Sequence, residues 1–399
     1  MNHKLRTTVC YKESKFTAFM AGIYVHIPFC RKACHYCDFH FSTTLHQLND
    51  LVDALLREIE LRAPEAQAQA IETIYFGGGT PSILSNTDLH RILEAIHKQY
   101  SVSSNAEITL EANPDDIQTQ RVKDWMRLGI NRLSIGIQSF FDDDLLYMNR
   151  THNGHDAYAC LQIAQDAGIG NLNADLIFGF PLLSDAKWHA NIETMLRLQP
   201  THLSCYSMTV EKGTALHHFV QKKQVPPINP EQAATQYEYL MNTLAAAQYE
   251  QYEISNFAQA GFRSKHNSRY WQGVPYIGFG PSAHSYAPPI RRWNVSNNTH
   301  YIQALRENRL PSEQEILSAT QQQNEQLMVA LRTVEGLNVS TWLQNLSKTQ
   351  QETFVSTCNT FIEQGHLQQQ GHQLQLTNSG KLLADAISGE LFLDNETSN

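Results

Sequence analysis

The chain of 399 residues is 42% hydrophobic and 17% charged, which is enough apolar material for one large core or two and unlike a disordered chain. A net charge of −9 with no run of like charges that would form a basic arm leaves no footprint for a phosphate backbone, so no nucleic acid partner is expected. No apolar stretch nears the roughly 18 residues that a membrane-spanning helix needs. The N-terminus lacks the apolar core of a secretory signal, and a cytoplasmic protein is expected.

Residues 1–19 carry Lys4, Arg6, Lys12 and Lys15 but also Glu13. They read as a flexible tail, a start assigned too far upstream or a short organellar presequence, and Cys10 within them is given no ligand role. From Gly22 to about Tyr206 one theme repeats: a short β-branched run, a loop, then helical periodicity. The strands expected are Ile23–Ile27, Thr73–Phe76, Glu107–Glu111, Arg132–Gly136, Asn173–Ile177 and His202–Tyr206. Helices are expected at Leu48–Leu61, Thr87–Gln99, Thr119–Leu128, His155–Ala167 and Ala186–Leu198, each able to cover an outer face of a parallel sheet. Six units are too few for an eight-stranded barrel. The fold class is therefore α/β, a partial (β/α)6 barrel over residues 20–250 with its site at the C-terminal ends of the strands.

Pro226, Pro227 and Pro230 break the pattern before a helix at Glu231–Ala247. A Gly/Tyr/Trp-rich segment, Tyr252 to Trp293, is assigned to a barrel-closing unit spanning 251–298. Helical runs at Ser312–Arg332, Val339–Leu346 and Thr349–Gln364 then precede a hairpin, His366–Leu376, turning near Gly371, and a last helix capped by Thr377. Residues 299–391 thus read as a small winged-helix-like α+β domain, with a tail at 392–399. Its helices carry many Gln and few Lys or Arg, so it reads as a packing module.

Cys30, Cys34 and Cys37 form a CxxxCxxC run directly after the first strand. Seven cysteines, three of them crowded there, do not make a disulfide framework in so long a chain. Soft thiolates select zinc or iron-sulfur. A structural zinc usually wants a fourth Cys or His, and His26, His35 and His40 keep that alternative open. Cys160, Cys205 and Cys358 sit in apolar or helical patterns and read as buried small hydrophobes.

The cysteine pattern resembles the radical S-adenosylmethionine (SAM) superfamily, in which three cysteines hold a 4Fe-4S cluster and the fourth iron is left for SAM. The run Gly77-Gly78-Gly79-Thr80-Pro81-Ser82 after the second strand is either a tight turn or a place where backbone approaches a ligand closely. Beside the cysteines it resembles the superfamily's motif for the methionyl amine. Glu111, Gln138, Arg150 and Asp175 fall at or near the ends of the following strands, where each is either a structural polar group or a match for SAM's charged and hydrogen-bonding groups.

Tyr24-Val-His-Ile-Pro-Phe-Cys30, Tyr36-Cys37-Asp-Phe, the Gly-Thr-Pro-Ser block, Asn131 through Phe140 and Asp175 through Pro181 together resemble the oxygen-independent coproporphyrinogen III oxidase family from Gly22 to the C-terminal domain. The resemblance implies SAM contacts at Tyr24, Tyr36, Gly78, Gly79, Thr80, Glu111, Gln138, Arg150 and Asp175. The oxidase branch carries a fourth cysteine where this chain has Phe39, and a longer N-terminal extension; decarboxylation of coproporphyrinogen is therefore not expected. His266-Asn-Ser-Arg-Tyr270-Trp271 is instead similar to the HNxxYW motif of the family's heme chaperone branch.

An imidazole is an axial ligand for heme iron, and Tyr and Trp offer flat apolar faces. His266, Tyr270 and Trp271 are accordingly the heme candidates, although a surface histidine and a core Tyr/Trp pair explain the same residues; His284, beside the Gly278–Ser282 loop, is instead expected to face the SAM pocket. The resemblance implies binding of a 4Fe-4S cluster, SAM and heme, an electron donor for the cluster, and a heme-acceptor protein, through which a transient membrane association could arise. A radical SAM enzyme acting on an unrelated small molecule is the third reading.

Overall fold

A computed structural model describes residues 22–65 and 70–394; the expectations for residues 1–19, for Cys10 and for 395–399 fall outside the described residues. Strands β1 (Gly22–Ile27), β2 (Ile71–Gly78), β3 (Val102–Ala112), β4 (Arg132–Gln138), β5 (Asn171–Phe178) and β6 (His202–Ser207) lie parallel and in chain order. Between them run α1 (Leu48–Leu61), α2 (Asn86–Gln99), α3 (Thr119–Arg127), α4 (Asp142–Tyr147), α5 (Gly154–Ala167) and α6 (Asp185–Leu198). The expected strands and crossover helices are present; α4, a single short turn-and-a-half, was not anticipated.

The two-residue period of a strand sorts these sequences into two faces. Ile23, Val25, Ile74, Phe76, Ile108, Leu110, Leu133, Ile135, Leu203 and Cys205 are buried in the large core against the helices. Their alternates, including Thr73, Glu107, Glu111, Arg132, Ser134, Asn173, Asp175, His202 and Ser204, are polar and turn to the barrel interior. The interior is a hydrogen-bonded polar network: Asn173 donates to Ser134 Oγ and Asp175 Oδ1, and His202 bridges Asn173 and Tyr252 at 2.6 and 2.7 Å. A barrel filled for stability alone would carry layers of Val, Ile and Leu there.

After β6 come α7 (Ala215–Gln221) and α8 (Pro230–Ala246), then the hairpin β7 (Glu250–Glu253) and β8 (Asn256–Ala258), which pairs antiparallel with β6. Helix α9 (Lys265–Trp271) leads to β9 (Tyr276–Phe279), a seventh parallel strand beside β1. The meander β10 (His284–Ala287) and β11 (Ile290–Asn294) continues the sheet outward. Helix α10 (Asn298–Arg306) follows, and β12 (Ser312–Ile316) forms the edge. The sheet runs β12-β11-β10-β9-β1-β2-β3-β4-β5-β6-β8-β7, so the barrel is open.

A buried ion pair fastens the added strands to α1. Glu58 accepts from Gly280 N–H (2.9 Å), Asn294 Nδ2 (2.8 Å) and the Tyr301 hydroxyl, while Arg62 donates to Glu58, Glu65, Gly278 O (2.7 Å) and Ser285 Oγ (3.1 Å).

The small domain comprises α11 (Ala319–Leu331), β13 (Leu337–Asn338), α12 (Val339–Leu343), α13 (Lys348–Glu363), the hairpin β14 (Leu367–Gln370) and β15 (Gln373–Leu376), α14 (Asn378–Lys381) and α15 (Ala384–Glu390). Its sheet order β13-β15-β14 and its helix-strand-helix-helix-hairpin sequence are those of a winged helix. Leu327, Leu331, Trp342, Phe354, Leu374 and Ile387 make its separate core. Two differences from expectation stand out. Ser312–Ile316 is a strand paired with β11, because the helical cap lies further on, at Ser318, whose hydroxyl and Gln321 form a capping box. Tyr301, Ile302 and Leu305, read with the C-terminal unit, belong to the large core.

Candidate functional site

At the C-terminal mouth of the parallel strands lies a cavity of about 510 Å³. Cys30, Cys34, Cys37, Tyr36, Gly78, Gly79, Thr80, Glu111, Gln138, Arg150 and Asp175 all line it, brought together from five strand-loop junctions. Tyr24 does not; it stands deeper in the barrel, its hydroxyl on His26 Nδ1 at 3.1 Å and its ring stacked with Tyr75 at 6.2 Å. The sequence reading passed over Asn113, Ser134, Tyr206 and the segment Met208, Thr209 and Glu211, which also line the cavity. Asn113 stood inside the Glu-Ala-Asn-Pro run, and Ser134 and Tyr206 are inward alternates of β4 and β6, so all three carried a signal in the sequence pattern.

The three thiols all face the cavity. Arg150 Nη1 donates to Cys34 Sγ at 3.3 Å, and its Nη2 to Asn113 Oδ1 (2.7 Å) and Gly136 O (2.9 Å). Thr80 Oγ1 donates to Cys30 Sγ at 3.5 Å. Burial raises the Cys30 thiol and pushes Cys37 up to about 12. The histidines that could complete a zinc site are engaged elsewhere: His26 with Tyr24 and His40 O, His35 with Tyr147 O, and His40 with Asn298. Three thiols, a guanidinium aimed at one of them and open space beyond fit a cluster with one iron left to a ligand.

The backbone is shaped for close approach. A Cβ on Gly79 would lie 2.6 Å from Phe29 O and 2.8 Å from Ile27 O, and Gly78 has a φ of +108° that other residues rarely adopt. Gly79→Ala is therefore expected to shift the cysteine loop against β2 and to cost about 1–3 kcal/mol. Urea unfolding of the purified variant checks this, and an unchanged midpoint would show that the loop gives way freely.

Two carboxyls share the pocket. Desolvation inside the barrel raises Glu111 to about 7 and Asp175 to about 6, although Tyr75 donates to Glu111 Oε1 at 2.7 Å and Asn173 to Asp175 at 2.7 Å. Gln138 sits at φ 65°, strained for a non-glycine residue, and its buried Oε1 has no partner, as has Arg150 Nε. Orphaned polar atoms aimed at a cavity are groups that a ligand would satisfy.

The His266 segment lies elsewhere. Ser264 caps α9, and the N–H groups of Lys265 and His266 donate to Glu107, so the helix closes the floor of the barrel, opposite the cavity. His266 is 3% exposed; Nδ1 pairs with Thr73 Oγ1 and Nε2 with the Tyr270 hydroxyl, each at 2.8 Å, and its ring stacks on Tyr75 at 5.0 Å. Burial takes it down to about 3, so it is neutral. Trp271 lies under Arg332 of the small domain at 5.6 Å. Both imidazole nitrogens are thus hydrogen-bonded, and an iron could reach one only by displacing Thr73 or Tyr270. His284 is exposed on β10 and is not among the cavity-lining residues.

An open parallel barrel gathering three cysteines, a glycine turn and two carboxyls at its C-terminal mouth is the architecture of a radical SAM protein. A model of the radical SAM superfamily matches residues 24–195, and one of the HemN C-terminal domain matches 317–383. The heme chaperone HemW of Bacillus subtilis (strain 168) is 34% identical over 93% of this chain and 98% of that protein; the heme chaperone HemW of Escherichia coli (strain K12) is 31% identical over 93% and 98%. The chain belongs to this HemW family. Coproporphyrinogen III oxidase (HemN) from Escherichia coli has the same fold, with a TM-score of 0.82 at 22% identity over 94% of this chain and 91% of that one.

Proposed function

We propose that this protein is a cytoplasmic heme chaperone that holds a 4Fe-4S cluster through Cys30, Cys34 and Cys37, binds SAM in the mouth cavity, and passes heme to an acceptor such as a respiratory heme protein. The observation that carries this reading is the end-to-end similarity to HemW heme chaperones, which covers 98% of the Bacillus subtilis protein. Phe39, 66% exposed at the cavity, stands where the oxidase resemblance calls for a fourth cysteine, and this weighs against decarboxylation. No helix among the described residues is long and apolar enough to cross a membrane.

A cluster on three thiolates leaves one iron to SAM, whose carbon-sulfur bond can be cleaved when an electron donor supplies the electron. Arg150 donates to Cys34 Sγ and holds the loop to β4 through Gly136 O. Gly78 and Gly79 expose backbone to the methionyl end, with Thr80 and Tyr36 beside it. Glu111 and Asp175 offer carboxylates to the cationic and hydroxyl groups of SAM, and Gln138 Oε1 accepts a hydrogen bond. Tyr24 acts from behind by packing on Tyr75, which orients Glu111.

Anaerobic reconstitution followed by parallel titration with heme and coproporphyrinogen III, with SAM and reductant present, tests the reading. Stoichiometric heme binding without decarboxylated porphyrin is expected; product without heme binding would mean an oxidase.

A further inference from the structure

The junction between the two domains holds a cavity apart from the SAM site. The strand β7 and the residue after it are joined to the segment following α11 by backbone bonds, Ile254 N–H to Arg332 O and Val334 N–H to Tyr252 O, each at 3.1 Å. Beside this seam lies a cavity of about 360 Å³. Gln251 and Glu253 line it from β7, Arg332 from just after α11, Gln375 from β15, and Asn378 and Lys381 from α14. Both domains therefore supply its walls, and domain junctions are favoured places for small-molecule sites. It shares no lining residue with the mouth cavity.

Its charges do not balance. The buried carboxylate of Glu253 has both oxygens filled: Oε1 accepts from Arg332 Nη2 at 3.1 Å, and Oε2 from Ser255 N–H (3.0 Å) and Asn256 Nδ2 (2.7 Å). Lys381 makes no ion pair among the described residues; its ammonium donates to neutral amide oxygens, Gln251 Oε1 at 2.8 Å and Asn378 Oδ1 at 3.1 Å. Gln251 is turned that way because its Nε2 is held by the Tyr237 hydroxyl and Ile254 O. Burial lowers the Lys381 ammonium below its ordinary value, as desolvation without a counter-charge does. An ammonium has three N–H groups, so one on Lys381 is unused, and neither Asn378 Nδ2 nor the buried Nε of Arg332 has a partner among the described residues. Unfilled donors on three residues of one cavity wall, two of them cations, match an oxyanion.

We propose that this cleft binds a small organic anion, with its carboxylate or phosphate oxygens toward Lys381, Asn378 and Arg332, and that occupancy strengthens the seam between the domains. The anion supplies the counter-charge that Lys381 lacks while its ammonium bonds Gln251 across the seam. A volume of about 360 Å³ stands at the small end of ligand pockets, which suits a metabolite-sized anion. The proposal goes beyond the heme chaperone reading and stands or falls without it.

Titration of the full chain with inorganic phosphate and, separately, with succinate, at an ionic strength held constant with sodium chloride, tests it by calorimetry and melting temperature. Saturable binding of at least one anion with a rise in melting temperature is expected, and the tighter of the two tells a phosphoryl from a carboxylate ligand. Lys381→Met is expected to weaken binding at least tenfold and to abolish the rise, whereas Lys381→Arg, which keeps the charge, retains both. Asn378→Asp, which gives Lys381 a counter-charge of its own on an exposed position, is expected to abolish the rise as well, and it serves where Lys381→Met fails to fold. No saturable binding of either anion overturns the proposal, as does an unchanged response in Lys381→Met or in Asn378→Asp.

Discussion

Replacing Arg62 with methionine is expected to lower the stability of the large domain by about 3–5 kcal/mol, because it strands the carboxylate of Glu58 in the core. Glu58 is 0% and Arg62 1% exposed, and neither has water to fall back on. The guanidinium makes five hydrogen bonds to four acceptors, Glu58, Glu65 from two of its nitrogens, Gly278 O and Ser285 Oγ, so its loss also frees backbone and hydroxyl groups of β9 and β10. Methionine keeps much of the volume, which isolates the electrostatic part from a cavity effect. Pairing it with Glu58→Leu should recover part of the loss, since the uncompensated charge is then gone. The check is the urea midpoint of the large-domain transition by tryptophan fluorescence. A shift worth less than about 1 kcal/mol, in the range of an exposed pair, would mean that the strands β9 to β11 do not depend on this anchor.

SAM affinity is expected to rise steeply between pH 5.5 and 7.5, by up to about tenfold per unit for each carboxyl that must ionise. Glu111, near 7, and Asp175, near 6, are raised by desolvation, so both are largely neutral at the acid end and charged at the other. The groups facing Glu111 are Tyr75 and the cation Arg132, which favour its charge, and Asp175, which opposes it. A cationic ligand prefers the ionised pair. Glu111→Gln should remove most of the slope, leaving the weaker contribution centred near 6. The same shifts act on the fold with the opposite sign. Both folded values lie above the unfolded ones, so the ligand-free protein keeps its full stability below pH 4 as far as these groups are concerned and loses it as pH climbs through 6 and 7. Anaerobic equilibrium dialysis of reconstituted protein against SAM across that range decides the matter. A flat profile in the parent would exclude the two carboxyls from SAM binding.

The alternation of residues such as Ile23, Val25 and Ile27 with Tyr24 and His26 made the six parallel strands legible, and the spacing of Cys30, Cys34 and Cys37 marked the loop after the first of them. Local periodicity and motif spacing survive in any sequence whose strands have one apolar and one polar face. The Gly-Gly-Gly turn, Glu111, Gln138, Arg150 and Asp175 could likewise be assigned to one rim, because a parallel barrel brings the ends of successive strands together. Other features depended on pairings remote in sequence. The strand Ser312–Ile316 carries no signal of its own beyond five polar and apolar residues, and it exists because β11 lies beside it. His266 reads as a heme-ligand candidate in a Gly/Tyr/Trp-rich segment, yet Glu107, far away in the chain, accepts its backbone N–H and draws it into the barrel floor, where Thr73 and Tyr270 occupy its two ring nitrogens. Composition and spacing determined which chemistry the chain can carry. Burial and long-range hydrogen bonding, which no local pattern encodes, decided which of its histidines remain free to use it.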